Sequence, residues 1–161
     1  MIHTASITPE YHEDVVRILE EGIETGLATF RSQEPTPEQW HHHYLPHSRW
    51  GAFVNTQLVG WGALSPVSSR PEYSGVAEVS IYVAKHYREN GIGNLLLQQL
   101  KDSSEQNNIW SLYASIIEMN VVSRKLVLKH GFREIGYREK ISKIGNVWHN
   151  TWLYEYRHRL F

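Results

Sequence analysis

Cysteine is absent from this 161-residue chain, and methionine occurs only twice. The first absence removes disulfides, thiolate metal sites and a cysteine nucleophile together. No excess of charge exists either. Sixteen lysines and arginines face seventeen aspartates and glutamates, for a net charge of −1, so no overall field draws the chain to nucleic acid or to an anionic membrane. No apolar run approaches the ~20 residues a membrane-spanning helix needs. The opening MIHTASITPE lacks the basic-then-apolar order of an export signal. Internal repeats, low-complexity tracts and linker-like shifts in composition are also missing. These absences lead to the expectation of one domain over residues 1–161, cytoplasmic, and large enough to close its own core.

What is present alternates between strand and helix patterns. Thr8-Pro9 reads as the cap and first position of a helix, followed by Val15, Ile18, Leu19 and Ile23 at helical spacing. In TPEQW, Thr36 and Gln39 fit a capping box with Pro37 between them, and Pro46 sets the limit of that helix. WGAFVNTQLVGWGAL (50–64) reads as a hairpin turning near Asn55-Thr56-Gln57. GVAEVSIYVAK (75–85) is the clearest strand: Val79, Ile81 and Val83 alternate with Glu78, Ser80 and Tyr82. A helix bearing Ile92, Leu96 and Leu100 follows, then a strand over 110–117. Next come a helix capped by Asn120 that stops at Gly131, and two strands near 132–141 and 147–156 joined at Gly145-Asn146. The predicted order is β-α-α-β-β-β-α-β-α-β-β, a mixed α/β (α+β) plan with helices packed on one sheet.

The stretch YRENGIGNLLLQQL (87–100) places Gly91 and Gly93 between the strongest strand and a leucine-rich helix. A helix start bares unpaired N–H groups and the positive end of the helix dipole, and glycine lets a ligand approach them closely. Together they suit a pyrophosphate, with Arg88 as a bidentate donor at the lip and Lys85 close by. No stretch fits G-x-x-x-x-G-K-[ST], and GIGNLL has leucine where a dinucleotide fingerprint wants its third glycine. A ligand-free turn fits the spacing as well.

The spacing Arg88-x-x-Gly91-x-Gly93 resembles the acetyl-CoA loop of the GNAT N-acetyltransferases. The resemblance extends through four further segments to the phosphinothricin and methionine sulfoximine N-acetyltransferase branch. These are ETGLATFRSQEPTPEQW (24–40), RPEYSGVAEVSIYV (70–83), NVVSRKLVLKHGF (120–132) and KIGNVWHN (143–150). It implies a GNAT fold, with a mostly antiparallel sheet of about seven strands and four helices, and acetyl-CoA as co-substrate. It further implies that the pantetheine arm pairs with the backbone of Ile81, Tyr82 and Val83. The pyrophosphate would rest on Arg88, Glu89, Asn90, Gly91, Ile92, Gly93 and Asn94, and Asn120 and Ser123 would touch the cofactor. Phe30, Arg31, Arg70 and Tyr73 would hold a small-molecule amine substrate by its carboxylate and side chain. Glu78 would stand near the amine as the catalytic base, and the family's dimers imply a homodimer.

The chemistry agrees with those residue types. Acetyl transfer needs a neutral amine, so a carboxylate in a partly dry cleft can collect the proton, and backbone N–H groups can stabilise the oxyanion. The leaving thiolate has a pKa of about 8.5 if it resembles cysteine and departs without strong acid help. With no cysteine to acetylate, direct attack in a ternary complex is expected. The departures concern details. Val127 stands where many relatives have His or Tyr, so the general acid is unassigned, with Tyr82 and Tyr113 as substitutes to test. Asn150 replaces the hairpin's usual aspartate. Gly75 stands where some herbicide-detoxifying members have tryptophan.

Taken alone, Glu78 fits a solvated outer face, and Arg31 and Arg70 fit ordinary surface charges. His41, His42 and His43 do not share a helix face, so a solvated helix is expected there and no metal. Trp148, Trp152, Tyr154 and Tyr156 share one strand face and read as core or dimer packing. A non-catalytic acetyl-CoA sensor stays open as an alternative. So does acetylation of a protein amino terminus or a polyamine, although Arg31 and Arg70 oppose a polycation.

Overall fold

The computed structural model describes residues 1–161. Its strands are β1 (Ile2–Ser6), β2 (Arg49–Val54), β3 (Gln57–Pro66), β4 (Val76–Val83), β5 (Ser111–Ile117), β6 (Arg133–Ile144) and β7 (Val147–Arg157). Its helices are α1 (His12–Glu24), α2 (Pro37–His43), α3 (Ile92–Gln106) and α4 (Val121–Lys129). The element order is the predicted one. The strands form one seven-stranded sheet in the order β1-β2-β3-β4-β5-β7-β6. Every neighbouring pair is antiparallel except β4 and β5. No helix is long and apolar enough to cross a membrane.

Local chemistry explains most boundaries. At α2 the capping box is complete: the Gln39 amide donates to Thr36 Oγ1 at 3.1 Å, and the Thr36 amide donates to Gln39 Oε1 at 2.9 Å. The start of α1 differs from expectation. Thr8 is extended and its side chain caps nothing. Pro9–Tyr11 form a 3-10 turn instead, closed by the Tyr11 amide on the Thr8 carbonyl at 3.1 Å. A backbone bond thus does the work assigned to the hydroxyl, and α1 begins at His12.

The sheet is covered by helices. From α1, Val15, Ile18 and Leu19 are buried with Trp40, Tyr44, Leu58 and Trp61. Each such side chain contributes about 1.5–3 kcal/mol when fully withdrawn from water. The Trp61 indole N–H donates to the Val15 carbonyl at 3.1 Å, which fixes the helix along the strand. From α3, Leu97 and Leu100 join Leu64, Leu112, Val127, Phe132 and Tyr154 in a second cluster. Tyr154 is fully buried, whereas Trp148 on the same strand face is exposed, so that face is core at one end only.

The feature that positions the site is the parallel pair. β4 and β5 are in register over only Val76–Glu78 and Ser111–Tyr113. Beyond Glu78, β4 keeps β3 on one side, with Ile81 opposite Gly62 and Val83 opposite Gly60, and has no strand on the other. Gly75 seats the closed end of this fork. Its carbonyl accepts from the amides of Trp110 at 2.8 Å and Ser111 at 3.1 Å. A Cβ there would lie 2.0 Å from Cε3 of the Trp110 ring. Gly75→Ala is therefore expected to cost about 1–3 kcal/mol, the usual range for overpacking. Thermal denaturation should show a loss of several degrees, and an unchanged Tm would refute the contact. For the same reason a tryptophan at this position requires Trp110 to move.

Candidate active site

Two cavities open where β4 and β5 part. One, of about 510 Å³, is lined by Phe30, Arg31, His43, Tyr44, Ser65, Glu78, Ser80 and the end of β5, among others. The second, of about 660 Å³, is lined by Thr25, Val83, Arg88, Glu89, Gly91, Ile92, Gly93, Asn94, Lys125 and Lys129, among others. Ala28, Ile81, Tyr82, Asn120, Ser123 and Leu126 line both. The two cavities are thus halves of one cleft that share a wall.

The larger half is suited to an anion. Gly91 is in the left-handed region with φ +78° and caps α3. The amides of Gly91, Ile92, Gly93 and Asn94 donate to no group in the chain. They stand at the positive end of a 15-residue helix. Lys125 and Lys129, four residues apart on α4, add positive charge across the cleft. The unpaired edge of β4 runs along the same cavity, ready to pair with an extended amide-bearing chain. These features fit the thioester co-substrate that the sequence implies.

Individual residues modify the expectations. Arg88 lines the cavity, but its Nε donates to the Val83 carbonyl at 3.3 Å and its Nη2 to the Glu21 carbonyl at 3.2 Å. Two donors expected at the lip are therefore already committed, and they tie the loop to the last turn of α1. Asn90 does not line the cavity. Its amide group turns back onto the carbonyls of Tyr87 and Arg88, at 3.2 and 2.9 Å, and braces the loop. Asn94 faces the cleft and also contacts His130 Nε2 at 3.0 Å. Asn120 caps α4 by accepting from the Ser123 amide at 3.3 Å.

The smaller half holds opposite charges. Glu78 is half-buried there, and desolvation raises its carboxyl pKa above the ordinary range. It is thus not a solvated outer-face residue. Arg31 lies on the same wall, and Phe30 packs edge-on to His149 with ring centroids 6.4 Å apart. Tyr44 is buried beside Ser80, and burial raises its pKa. Tyr82, whose ring is tilted 40° against Trp61 with centroids 5.0 Å apart, is pushed up to about 12 by burial first, so it is a very weak acid. Tyr113 lines neither cavity, and Val127 is a buried aliphatic part of the wall. Arg70 and Tyr73 also lie outside both linings. They are exposed on the turn before β4, where Arg70 pairs with Glu72 and lies 5.5 Å from the Tyr73 ring centroid.

All three histidines of the run are exposed, as expected of a solvated helix, but their contacts differ: His41 Nδ1 lies 2.9 Å from Arg49 Nη1, and His43 lines the smaller cavity. Partial desolvation, then the Arg31 charge, lowers the His43 pKa. The sequence signal for His43 was its place at the end of α2 next to an aromatic. For Lys125 and Lys129 it was the i, i+4 spacing that puts them on the face of Val122. Asn150 lies outside both cavities. Its Nδ2 donates to Glu118 Oε2 at 2.7 Å, while its Oδ1 accepts from the Lys140 amide at 2.8 Å. Lys140 has φ +47° inside the irregular stretch of β6, so the side chain pins that irregularity. An aspartate would place a second carboxylate against Glu118. The Asn150 hydrogen bond is the first cause holding the Glu118 pKa low, so Asn150→Asp should lower Tm relative to wild type, and that loss should grow as pH rises through the carboxylate range and both carboxyls ionise. A pH-independent Tm would remove this account.

A model described as the acetyltransferase (GNAT) family matches residues 14–132. This chain belongs to that family. Acetyl-CoA is the co-substrate of GNAT enzymes, and the residues of the larger cavity fit it. The chain is 31% identical over 133 residues to a phosphinothricin N-acetyltransferase of Streptomyces coelicolor, covering 77% of this chain and 78% of that one. Among solved structures, a GNAT superfamily phosphinothricin acetyltransferase from Sinorhizobium meliloti in complex with acetyl-CoA superposes with a TM-score of 0.89 at 19% identity, over 97% of this chain and 88% of that one. A ribosomal-protein-alanine N-acetyltransferase from Brucella melitensis superposes at 0.88 with 22% identity, over 97% and 99%. The last two likenesses show the GNAT fold, with its seven-stranded sheet and four helices.

Proposed function

We propose that this GNAT enzyme moves the acetyl group of acetyl-CoA to the α-amine of a small amino acid or analogue, by direct attack in a ternary complex. One observation supports the reading: a cavity lined by the free amides of residues 91–94 and by Lys125 and Lys129 shares a wall with a cavity that holds one cation and one carboxylate. Arg31 holds the acceptor's carboxylate. Glu78, with its raised pKa, takes the proton from the ammonium, freeing the lone pair that attacks the thioester carbon. As the C–N bond forms, the nitrogen gives its second proton to solvent, the C–S bond breaks and the thiolate leaves. Water reprotonates it, because Val127 has no proton to give and Tyr82 holds its own too tightly. The phosphinothricin N-acetyltransferase of Streptomyces coelicolor supports the acceptor class.

Exposed Ile135, Tyr137, Ile141, Val147 and Trp148 on β6 and β7 support a homodimer through this hairpin. The aliphatic Val127 favours one rival, a sensor that binds acetyl-CoA without turnover. The test is release of free thiol from acetyl-CoA with a panel of amino acids and their analogues. Thiol above background supports the enzyme, whereas a thermal shift with coenzyme A and no thiol supports the sensor.

A further inference from the structure

We propose that His130 is a positioning residue for the coenzyme: by holding the side-chain carbonyl of Asn94, it keeps the NH2 group of Asn94 available as a further donor to the diphosphate. This rests on the placement of acetyl-CoA in the larger cavity and adds to that site a residue that lies outside its lining. His130 Nε2 is 3.0 Å from Asn94 Oδ1. A carbonyl oxygen only accepts, so Nε2 carries the proton of this bond whatever the charge on the ring. With Oδ1 taken, Nδ2 keeps two N–H groups and has no partner in the chain. Asn94 lines the larger cavity from the first turn of α3, and its backbone amide is one of the four free donors there. A side-chain donor thus stands beside the backbone donors, and hydrogen bonds to a charged acceptor are stronger than neutral ones.

The backbone of His130 is held independently of its ring. The residue closes α4, where its amide donates to the carbonyls of Leu126 at 3.2 Å and Val127 at 3.1 Å. Its own carbonyl accepts from Lys101 Nζ at 3.0 Å, and that ammonium lies 4.3 Å from the Tyr156 ring centroid. The two helices also pack closely beside it: a Cβ on Gly93 would lie 3.2 Å from Leu126 Cδ2. Removing the imidazole therefore frees Asn94 and leaves the helix end in place. The last torsion of an asparagine is broad and roughly two-fold. A freed Asn94 presents Oδ1 to the anion as readily as Nδ2, and an oxygen there repels the diphosphate. Lys125 and Lys129 supply charge from the facing wall; His130 supplies orientation.

The experiment is isothermal titration of coenzyme A into wild type, Asn94→Ala, His130→Ala, His130→Gln and the double alanine variant. Each single alanine variant should bind about tenfold more weakly, the factor that 1.4 kcal/mol represents. The double variant should bind no more weakly than Asn94→Ala, because the histidine acts only through the asparagine. His130→Gln should stay within about twofold of wild type, since the glutamine NH2 donates from near the position of Nε2. Losses that multiply in the double variant show an independent, structural role for His130 and overturn the proposal. So does a His130→Ala or Asn94→Ala protein that binds as wild type does, or a His130→Gln protein as weak as His130→Ala. Each of these leaves the coenzyme site itself in place. Wild type that takes up no coenzyme A overturns the proposal together with the placement beneath it.

Discussion

Glu78→Gln should lower kcat/KM by about 10²–10⁴-fold, the usual contribution of a positioned general base. Glutamine keeps the shape and cannot take a proton. Affinity for coenzyme A should not change, because Glu78 lines the smaller cavity and not the larger. The pH profile gives a second readout. Burial raises the carboxyl pKa, so the wild-type rate should climb with an acid limb displaced above the ordinary carboxylate value, and that limb should vanish in the variant. Stability should move the other way. A carboxyl whose folded-state pKa is raised supports the fold fully below its unfolded pKa, and that support is lost as pH rises through the folded value. At neutral pH the neutral amide removes this handicap, so the variant should melt no lower than wild type. A variant within a few-fold of wild-type activity would dismiss Glu78 as the base and leave His43 as the candidate.

Gly91→Val should weaken coenzyme A binding at least about tenfold, the factor that a change of 1.4 kcal/mol produces. The cause is the backbone rather than crowding, since nothing lies within 4 Å of where the Cβ would be. With φ at +78°, a branched L-residue is strained by about 1–2 kcal/mol. The loop relieves that strain by turning, and the free amides of residues 91–94 turn with it. Gly91→Asn should bind nearly as wild type, because asparagine tolerates the left-handed region. Isothermal titration separates the two. Equal affinity for wild type and the valine variant would show that these amides do not hold the anion.

Several parts of this site were legible before the fold was known because their causes are local. The capping box of Thr36 and Gln39 involves neighbours three residues apart, and so does the bond between Asn120 and Ser123. The alternation in β4 gave the strand, and the glycine spacing gave the helix start. What stayed hidden depends on chain segments distant in sequence. Arg88 is turned by the carbonyl of Glu21, and Asn150 by the carboxylate of Glu118. His43 reaches the cavity only because α2 packs its Trp40 against Trp61 of β3, with ring centroids 5.6 Å apart. Thr8 failed as a cap because a backbone bond satisfied the same turn, an outcome composition cannot rank.

The fork between β4 and β5 has a consequence for any effort to harden this protein. Its hydrogen-bonding ladder stops after the register pairs of Val76, Ala77 and Glu78. Engineering that zipped the two strands further would add bonds and raise the melting point. It would also seal the seam at which the two cavities meet. Robustness and turnover therefore compete for the same few backbone atoms, and the open seam is a defect the enzyme must keep.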